Sequence, residues 1–154
     1  MVEPISVPYR RQRSDGYCLP ACVQMALAHL GITRSQDEMA RVLGIVEDLG
    51  APVSHVLQLR SRQIHAEYHT EGSLDEVRLW LARRVPVIAC VQTGQLGYWH
   101  GRSAQHVVLI VGIEGHTVYV LDPAIDEAIL GVSVEEFMLA WDEMSFAFAV
   151  IFRL

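Results

Sequence analysis

Residues 12–31 read Q-R-S-D-G-Y-C-L-P-A-C-V-Q-M-A-L-A-H-L-G and place a cysteine at the start of a predicted helix. The apolar residues that follow this cysteine recur at helical spacing, and Gly31 is a typical helix terminator. Pro20 is tolerated only in the first turn, because deeper in a helix its ring would clash with a preceding carbonyl. The pattern therefore predicts a helix over about residues 19–30, with Cys18 at its N-terminus.

A cysteine at a helix N-terminus lies where a negative charge is favoured. The unpaired N–H groups there stabilise an anion by roughly 0.3–1 kcal/mol, and the thiolate is the nucleophilic form of cysteine. Cys18 is thus a candidate nucleophile, although many cysteines near helix starts are inert core residues. The chain has three cysteines. Cys22 lies one turn deeper, and Cys90 lies in a predicted buried strand, so we expect no disulfide framework and a reducing compartment.

Length and composition favour a single domain over residues 1–154, with 51% apolar residues and a net charge of −6. This charge argues against a nucleic-acid partner, because the only tight basic cluster is formed by Arg10, Arg11 and Arg13. The apolar runs are shorter than the roughly 18–20 residues that a membrane span needs. The N-terminal residues do not resemble a signal peptide, so we expect neither a membrane span nor a secretory leader.

The predicted elements divide the chain into a helical half and a strand-rich half. Capping boxes at Ser35, Ser73 and Ser133 predict the starts of three helices. The remaining predictions are a helix over 52–62 and strands over 64–68, 85–92, 106–113, 117–121 and 146–152. This order predicts an α+β fold in which an N-terminal helical half packs on a C-terminal antiparallel sheet.

The second half supplies candidate partners for the cysteine. A hairpin folded at Glu114–Gly115 would bring His106, at the start of one strand, close to Asp122, at the end of the next. The carboxylate could then hold one imidazole nitrogen while the other nitrogen faces Cys18. A slip of one residue in register would turn one of the two side chains away. Taken singly, each residue has an ordinary structural interpretation. Asp122 precedes a proline and could simply form a turn at the end of a strand, and His106 could be a hydrogen-bonded or exposed histidine without a catalytic role.

Two motifs together resemble a known family. These are Q-x5-C at a helix start and H-V-V-L-I-V-G-I-x-G-x-x-V-Y-V-L-D-P over residues 106–123. The chain resembles the papain-like cysteine peptidases of the C39 type, the bacteriocin and double-glycine leader peptidases of bacteria. The resemblance implies a papain-like fold with Cys18 as nucleophile, His106 as general base and then acid, and Asp122 as its orienting group. It also implies that Gln12 and the backbone N–H of Cys18 form the oxyanion hole.

One departure from the family pattern concerns the residues beside the nucleophile. The family usually has Asp-Cys-Gly, whereas this chain has Tyr17-Cys18-Leu19. A side chain at Leu19 could narrow the approach to the sulfur or alter the backbone near the oxyanion. We therefore take Tyr17 and Leu19 as candidate substrate-binding residues. Tyr98 and Trp99 are two further candidates, since they could wall the cleft or simply pack.

Zinc is the main alternative chemistry for these residues. Cys18 and Cys22 could ligate a metal, but no second cysteine pair or H-x3-5-H cluster completes a ligand set. His65 and His69 are four residues apart on a predicted strand or loop, where that spacing does not converge as it does on a helix. We therefore expect no metal and no cofactor.

The resemblance implies hydrolysis of a peptide or protein substrate after small residues, typically Gly-Gly, through an acyl-enzyme at Cys18. It implies a cytoplasmic peptidase. The domain would either act alone or be cut from a larger transporter, and in the second case the transporter would be its partner. A first alternative is an effector protease or deamidase that acts on a protein of a rival cell and needs a cognate inhibitor in its producer. A second is a degenerate peptidase that binds peptides without cutting them.

Overall fold

The structure is a computed structural model that describes residues 3–126 and 128–154. Its strands are β1 (Ile64–His69), β2 (Val87–Gln92), β3 (Gln105–Glu114), β4 (Thr117–Leu121), β5 (Leu130–Ser133) and β6 (Phe148–Arg153). Its α-helices are α1 (Cys18–His29), α2 (Gln36–Leu43), α3 (Leu74–Ala82) and α4 (Val134–Asp142). Within the described residues the six strands form one antiparallel sheet in the order β1-β6-β2-β3-β4-β5.

Both faces of the sheet are covered. Leu109 and Ile110 are adjacent in β3 and point to opposite faces, since side chains alternate along a strand. Leu109 belongs to a buried cluster with residues of α1 and α2. Ile110 belongs to a second cluster that includes Val77 of α3 and Trp141 of α4. The predicted α+β class is confirmed, and the structure adds that α3 and α4 cover the face opposite α1 and α2.

The predicted helix starts follow from local hydrogen bonds. Ser35, Ser73 and Ser133 each accept a hydrogen bond from the backbone N–H three residues later, at 3.1, 3.2 and 3.2 Å. Such caps satisfy one of the N–H groups that a helix start leaves unpaired. α2 ends at Gly44, whose φ of 68° lies in the left-handed region that favours glycine.

Two predicted elements differ from the structure. The helix predicted over 52–62 is a 3-10 helix over Val53–Leu59. Its buried residues, Val53 and Val56, are three apart, and three residues per turn aligns them on one face. β5 was not predicted, because Val132 is its only buried residue and the four-residue strand contains a glycine.

A β-bulge interrupts the pairing of β3 with β4. Gly112 pairs with Tyr119, but the next pair is Ile110 with Val120, so the register shifts by one residue at this point. The shifted register, continued past Leu121, aligns Asp122 with Val108. Val108 and His106 are two residues apart in β3, so their side chains point to the same face of the sheet. The bulge therefore places Asp122 on the face of the hairpin that carries His106.

The described residues contain no helix that is both long enough and apolar enough to cross a membrane.

Candidate active site

Cys18 is the first residue of α1 and lines a cavity of about 270 Å³ together with His106. The residue before it, Tyr17, provides no side-chain cap for the helix within the described part of the chain. The first-turn N–H groups are therefore not occupied by a capping side chain and remain able to face an anion. Cys18 is partly exposed, so its sulfur is reachable from the cavity.

His106 lies between a carboxylate and the cysteine. Its Nε2 is 2.7 Å from Oδ1 of Asp122, and both side chains are buried. The imidazole and the side chain of Cys18 line the same cavity. Because Nε2 is engaged by the carboxylate, Nδ1 is the ring nitrogen left to face the sulfur. The three residues expected to converge are therefore brought together.

The buried carboxylate of Asp122 has a donor for each of its accepting positions. Oδ1 lies 2.7 Å from His106 Nε2 and accepts from the backbone N–H of Ala124 at 2.9 Å. Oδ2 accepts from the Tyr98 hydroxyl at 2.7 Å and from Trp99 Nε1 at 2.9 Å. A buried carboxylate is tolerated when it is hydrogen-bonded in this way. The arrangement therefore holds a negative charge behind the imidazole.

The electrostatics of the pair favour a charged imidazole. Burial by itself disfavours the charged imidazole, but the hydrogen bond to Asp122, together with the nearby Cys18 side chain, outweighs it and raises the pKa of His106 to about 9. Burial also opposes ionisation of Asp122, yet the hydrogen bonds from His106 and Tyr98 lower the pKa of that carboxyl below its ordinary value. The site thus favours an imidazolium beside a carboxylate at neutral pH.

Tyr98 and Trp99, expected on the wall of the cleft, lie behind the carboxylate. Neither is among the residues that line the cavity at Cys18. Besides its hydrogen bond to Asp122, Trp99 packs edge-on against the His106 ring, with centroids 4.9 Å apart. Burial, followed by the nearby carboxylate, raises the pKa of Tyr98 above its ordinary value. In this structure the two aromatics hold the aspartate and histidine in place.

Gln12 is held close to the same carboxylate by its backbone. Its N–H donates to the carbonyl of Pro123 at 2.7 Å, so it lies beside the residue that follows Asp122. Its Nε2 donates to the carbonyl of Ser14 at 3.2 Å. Among the described residues, its buried Oε1 has no hydrogen-bond partner. The backbone of Gln12 therefore lies beside Pro123, while its side chain is not among the residues that line the cavity at Cys18.

The two neighbours of Cys18 in the chain line different cavities. Leu19 is only 1% exposed, belongs to the core beside α1, and forms part of the wall of the cavity at Cys18. Tyr17 instead lines a separate cavity of about 590 Å³, with the guanidinium of Arg13 5.7 Å from its ring centre. Of the two predicted substrate-binding residues, only Leu19 borders the space in front of the sulfur.

The other two cysteines are in apolar surroundings. Cys22 is fully buried and donates to the carbonyl of Val107 at 3.7 Å, and burial raises the pKa of its thiol well above the ordinary value. Burial raises the pKa of Cys90 to about 12. Both therefore stay protonated at neutral pH.

No group of three or more His, Cys, Asp or Glu side chains in residues 3–126 and 128–154 is arranged to hold a metal ion. His65 and His69 do lie on a strand, where each has its Nε2 near the Glu67 carboxylate, at 3.4 and 2.8 Å.

Two residues that support the site were not singled out from the sequence. The hydroxyl of Tyr9 donates to the backbone carbonyl of Asp122 at 2.9 Å and also to the carbonyl of Ile125. Thr93 closes the loop that carries Tyr98: its hydroxyl donates to the Arg102 carbonyl at 2.7 Å and accepts from a backbone N–H at 2.8 Å. No sequence signal marks either residue, because the burial of Thr93 and the contact between Tyr9 and Asp122 are visible only in the structure.

Comparison with known proteins identifies the family. Residues 4–148 match the family model described as the Peptidase_C39 like family. This match covers most of the chain, which therefore belongs to that family. The comparison with curated proteins gives no match.

Solved structures share the fold along nearly the whole chain. A putative C39-like peptidase from Bacillus anthracis is similar with a TM-score of 0.77 and 19% identity, covering 97% of this chain and 98% of that one. A double glycine motif protease from an AMS/PCAT transporter, in complex with the leader peptide, is similar with a TM-score of 0.71 and 16% identity, covering 98% of this chain and 94% of that one. The peptidase domain of Streptococcus ComA, a bi-functional ABC transporter, is similar with a TM-score of 0.69 and 16% identity, covering 97% of each chain. The papain-like fold expected from the sequence is confirmed.

Proposed function

We propose that this chain is a cysteine peptidase whose nucleophile is Cys18. The thiolate attacks the carbonyl carbon of a peptide bond, and the bond to the leaving amine breaks as His106 gives that amine a proton. A thioester between Cys18 and the acyl part of the substrate remains. Water activated by His106 then hydrolyses the thioester and regenerates the thiol.

The observation that carries the proposal is the buried imidazole of His106, which lies 2.7 Å from the Asp122 carboxylate and lines the same cavity as Cys18, at a helix N-terminus. A nucleophile, a base and an orienting group gathered at one cavity are the parts that nucleophilic acyl transfer requires. In this proposal Asp122 fixes the ring so that Nδ1 faces the sulfur, and its charge stabilises the imidazolium.

The oxyanion of the tetrahedral intermediate needs hydrogen-bond donors. We assign this role to the backbone N–H of Cys18, at the N-terminus of α1, and to the side-chain amide of Gln12. The anchoring of Gln12 on the Pro123 carbonyl supports this assignment, because it keeps the glutamine beside the triad. Loss of one such donor typically lowers the rate about 10²–10³-fold.

We propose a peptide or protein as the substrate. The similar double glycine motif protease was solved with a leader peptide, which makes a peptide with a Gly-Gly site the first substrate to test.

The decisive experiment compares the wild type with Cys18→Ala on Gly-Gly peptides and on extracted bacterial proteins, using mass spectrometry to detect new termini. We expect cleavage by the wild type and none by Cys18→Ala, with an unchanged circular dichroism spectrum. Cys22→Ala is the matched control and should retain cleavage. Equal cleavage by the wild type and Cys18→Ala would refute the assignment.

A thiol-reactive epoxide separates an active peptidase from a degenerate one that only binds peptides. At neutral pH we expect rapid labelling of Cys18, because it is partly exposed at a helix N-terminus in the cavity that His106 lines. We expect slow labelling of Cys22 and Cys90, whose pKa values are raised by burial. Labelling of Cys18 no faster than the other two would favour the peptide-binding hypothesis.

A further inference from the structure

We infer that the substrate carries an apolar side chain within two residues of the cleaved bond, in place of one glycine of a Gly-Gly pair. This inference rests on the proposed function, because it takes Cys18 as the point where the substrate carbonyl lies. It concerns the cavity of about 270 Å³ that opens from this cysteine.

The chemistry of the cavity wall favours an apolar occupant. Beyond Cys18 and His106, the polar groups on the wall are the amide of Gln105 and the hydroxyl of Tyr68, and the remaining side chains are mainly apolar, among them Leu19, Val53, Cys90, Met144 and Ala147. None of the described residues that line it is Asp, Glu, Lys or Arg. A charged substrate side chain would lose its hydration there, which is unfavourable, because the one charged group on the wall, the imidazolium of His106, is already paired with Asp122. A leucine-like side chain would lose only contact with water.

The cavity has more room than a glycine needs. Its volume corresponds to about nine water molecules at roughly 30 Å³ each. A Gly-Gly pair has no side chain to fill this space and would leave it to water. Replacing poorly held water with an apolar group increases affinity. The cavity therefore discriminates in favour of a side chain rather than against it.

The mouth of the cavity presents an additional apolar group. Leu49 lines the cavity and yet is 84% exposed, which is unusual for a leucine. It precedes Gly50, whose backbone lies against Gly16: a Cβ added at Gly16 would be 3.1 Å from Gly50 N. Two glycines with positive φ, at 85° and 88°, permit this close approach. The contact keeps the segment that carries Leu49 next to the nucleophile.

Geometry limits which substrate residue can occupy the cavity. An extended peptide advances about 3.3 Å per residue, with side chains alternating in direction. With its carbonyl carbon at the sulfur of Cys18, only the nearest residues can reach a cavity that borders both Cys18 and His106. Leu-Gly and Gly-Leu pairs before the cleaved bond are therefore the sequences to test against Gly-Gly.

The test measures peptide binding to Cys18→Ala by calorimetry, so that it does not depend on catalysis. The peptides are identical except for Gly-Gly, Leu-Gly, Gly-Leu or Glu-Gly at the cleavage site. We expect one of the two leucine peptides to bind on the order of ten- to a hundredfold tighter than Gly-Gly, since it buries a leucine side chain. The Glu-Gly peptide should bind no tighter than Gly-Gly. Equal binding of all four peptides would overturn the inference.

Three variants locate the effect, each made in the Cys18→Ala background. Leu49→Ala, at an exposed position, should weaken binding of the leucine peptide about three- to tenfold, and should weaken it more than binding of the Gly-Gly peptide. Met144→Trp, which fills the cavity, should remove the preference for leucine. Leu139→Ala, on the exposed face of α4, is the matched control and should change neither affinity. A preference that survives both cavity variants would contradict the inference.

The outcomes separate this inference from the proposed function. If Cys18→Ala prefers a leucine peptide but the wild type cleaves no peptide, the apolar site stands and the peptidase assignment fails. If the wild type cleaves Gly-Gly and leucine peptides with equal kcat/KM, and Cys18→Ala binds them equally, the peptidase stands and the apolar site fails.

Discussion

At the scale of single residues, the buried carboxylate of Asp122 determines the electrostatics of the site. An ionised carboxylate without partners is costly to bury, because it loses its hydration. Here Tyr98, Trp99 and Ala124 donate to its two oxygens, and His106 lies 2.7 Å from Oδ1. These contacts keep the aspartate charged, and its charge in turn raises the pKa of the imidazole.

Removing the Tyr98 hydroxyl tests this role. We expect Tyr98→Phe to lower the free energy of unfolding by about 1.5–3 kcal/mol, the usual range for a hydrogen bond to a charged group. The catalytic rate should fall, and its pH profile should shift, because Asp122 holds His106 less firmly. Urea denaturation and a pH–rate profile measure the two effects. Tyr119→Phe is the control, since the described residues offer its hydroxyl no hydrogen bond, and it should change neither quantity.

The raised pKa of His106 predicts how stability depends on pH. A group whose pKa is higher in the folded state binds its proton more tightly there, so it stabilises the fold below its unfolded pKa. With values of 6.5 unfolded and about 9 folded, a contribution on the order of 3 kcal/mol is present below pH 6.5 and lost as pH rises through 9. Urea denaturation from pH 6 to 10 measures this decline.

In that experiment His106→Gln should show a flatter profile than the wild type. His116→Gln, at an exposed position, should follow the wild type. Parallel profiles for the wild type and His106→Gln would show that the histidine is not protonated more readily in the folded state.

At the scale of elements, the β3–β4 hairpin places the histidine and the aspartate together. The turn at Glu114–Gly115 is predictable, but the bulge between Ile110 and Gly112 determines which face Asp122 occupies. Without the shift, Asp122 would align with Leu109, whose side chain belongs to the opposite face from that of His106. An irregularity of one residue is therefore a requirement of the site.

The loop between β2 and β3 is a second such element. Thr93 ties the start of this loop to its end, through the Arg102 carbonyl and the Ala104 N–H, and so fixes the aromatic residues that hold Asp122. We expect Thr93→Val to cost about 1–3 kcal/mol of stability, because it leaves buried backbone groups unpaired. Activity should fall by more than this loss of folded protein explains.

Thermal denaturation and kcat measure the two effects of Thr93→Val. Thr117→Val is the matched control, because no side-chain hydrogen bond of Thr117 is found within the described residues, and it should be close to the wild type. Unchanged kcat in a destabilised Thr93→Val would mean that the loop does not position the catalytic groups.

At the scale of the whole molecule, the site forms where three layers meet. Cys18 comes from α1 on one face of the sheet, His106 from a strand, and Trp99 from a loop that packs with the cluster on the opposite face. The distance between the sulfur and the imidazole therefore depends on how α1 packs on the sheet. Because close-packed interiors transmit small shifts, core residues far from the sulfur influence the site.

Leu109 is fully buried in the cluster beneath α1, so truncating its side chain tests how tightly this part of the core is packed. Leu109→Ala should lower the free energy of unfolding by about 2–5 kcal/mol, through lost burial and the cavity that remains. Leu79→Ala, at a position that is 69% exposed, should change it by no more than about 0.5 kcal/mol. Urea denaturation of both variants measures the difference. A loss below about 1 kcal/mol for Leu109→Ala would contradict the packing described.

The elements set by neighbours in the chain could be predicted from the sequence. The caps at Ser35, Ser73 and Ser133, the Gly44 terminator and the start of α1 each depend on residues within a few positions of one another. The hairpin and the candidate residues Cys18, His106 and Asp122 followed from turn chemistry and from the resemblance to a family. Their convergence in the structure agrees with that prediction, and their catalytic roles stay a prediction.

Contacts between distant parts of the chain were decided only by the tertiary structure. The bulge in β3, the pairing of Tyr9 with Asp122 across 113 positions, and the placement of Tyr98 and Trp99 behind the carboxylate leave no local signal. They arise because a buried carboxylate must find donors wherever packing brings them. Local chemistry determined the helices and the candidate catalytic residues of this protein, whereas packing determined the orientation of those residues and the shape of the cavity in front of the sulfur.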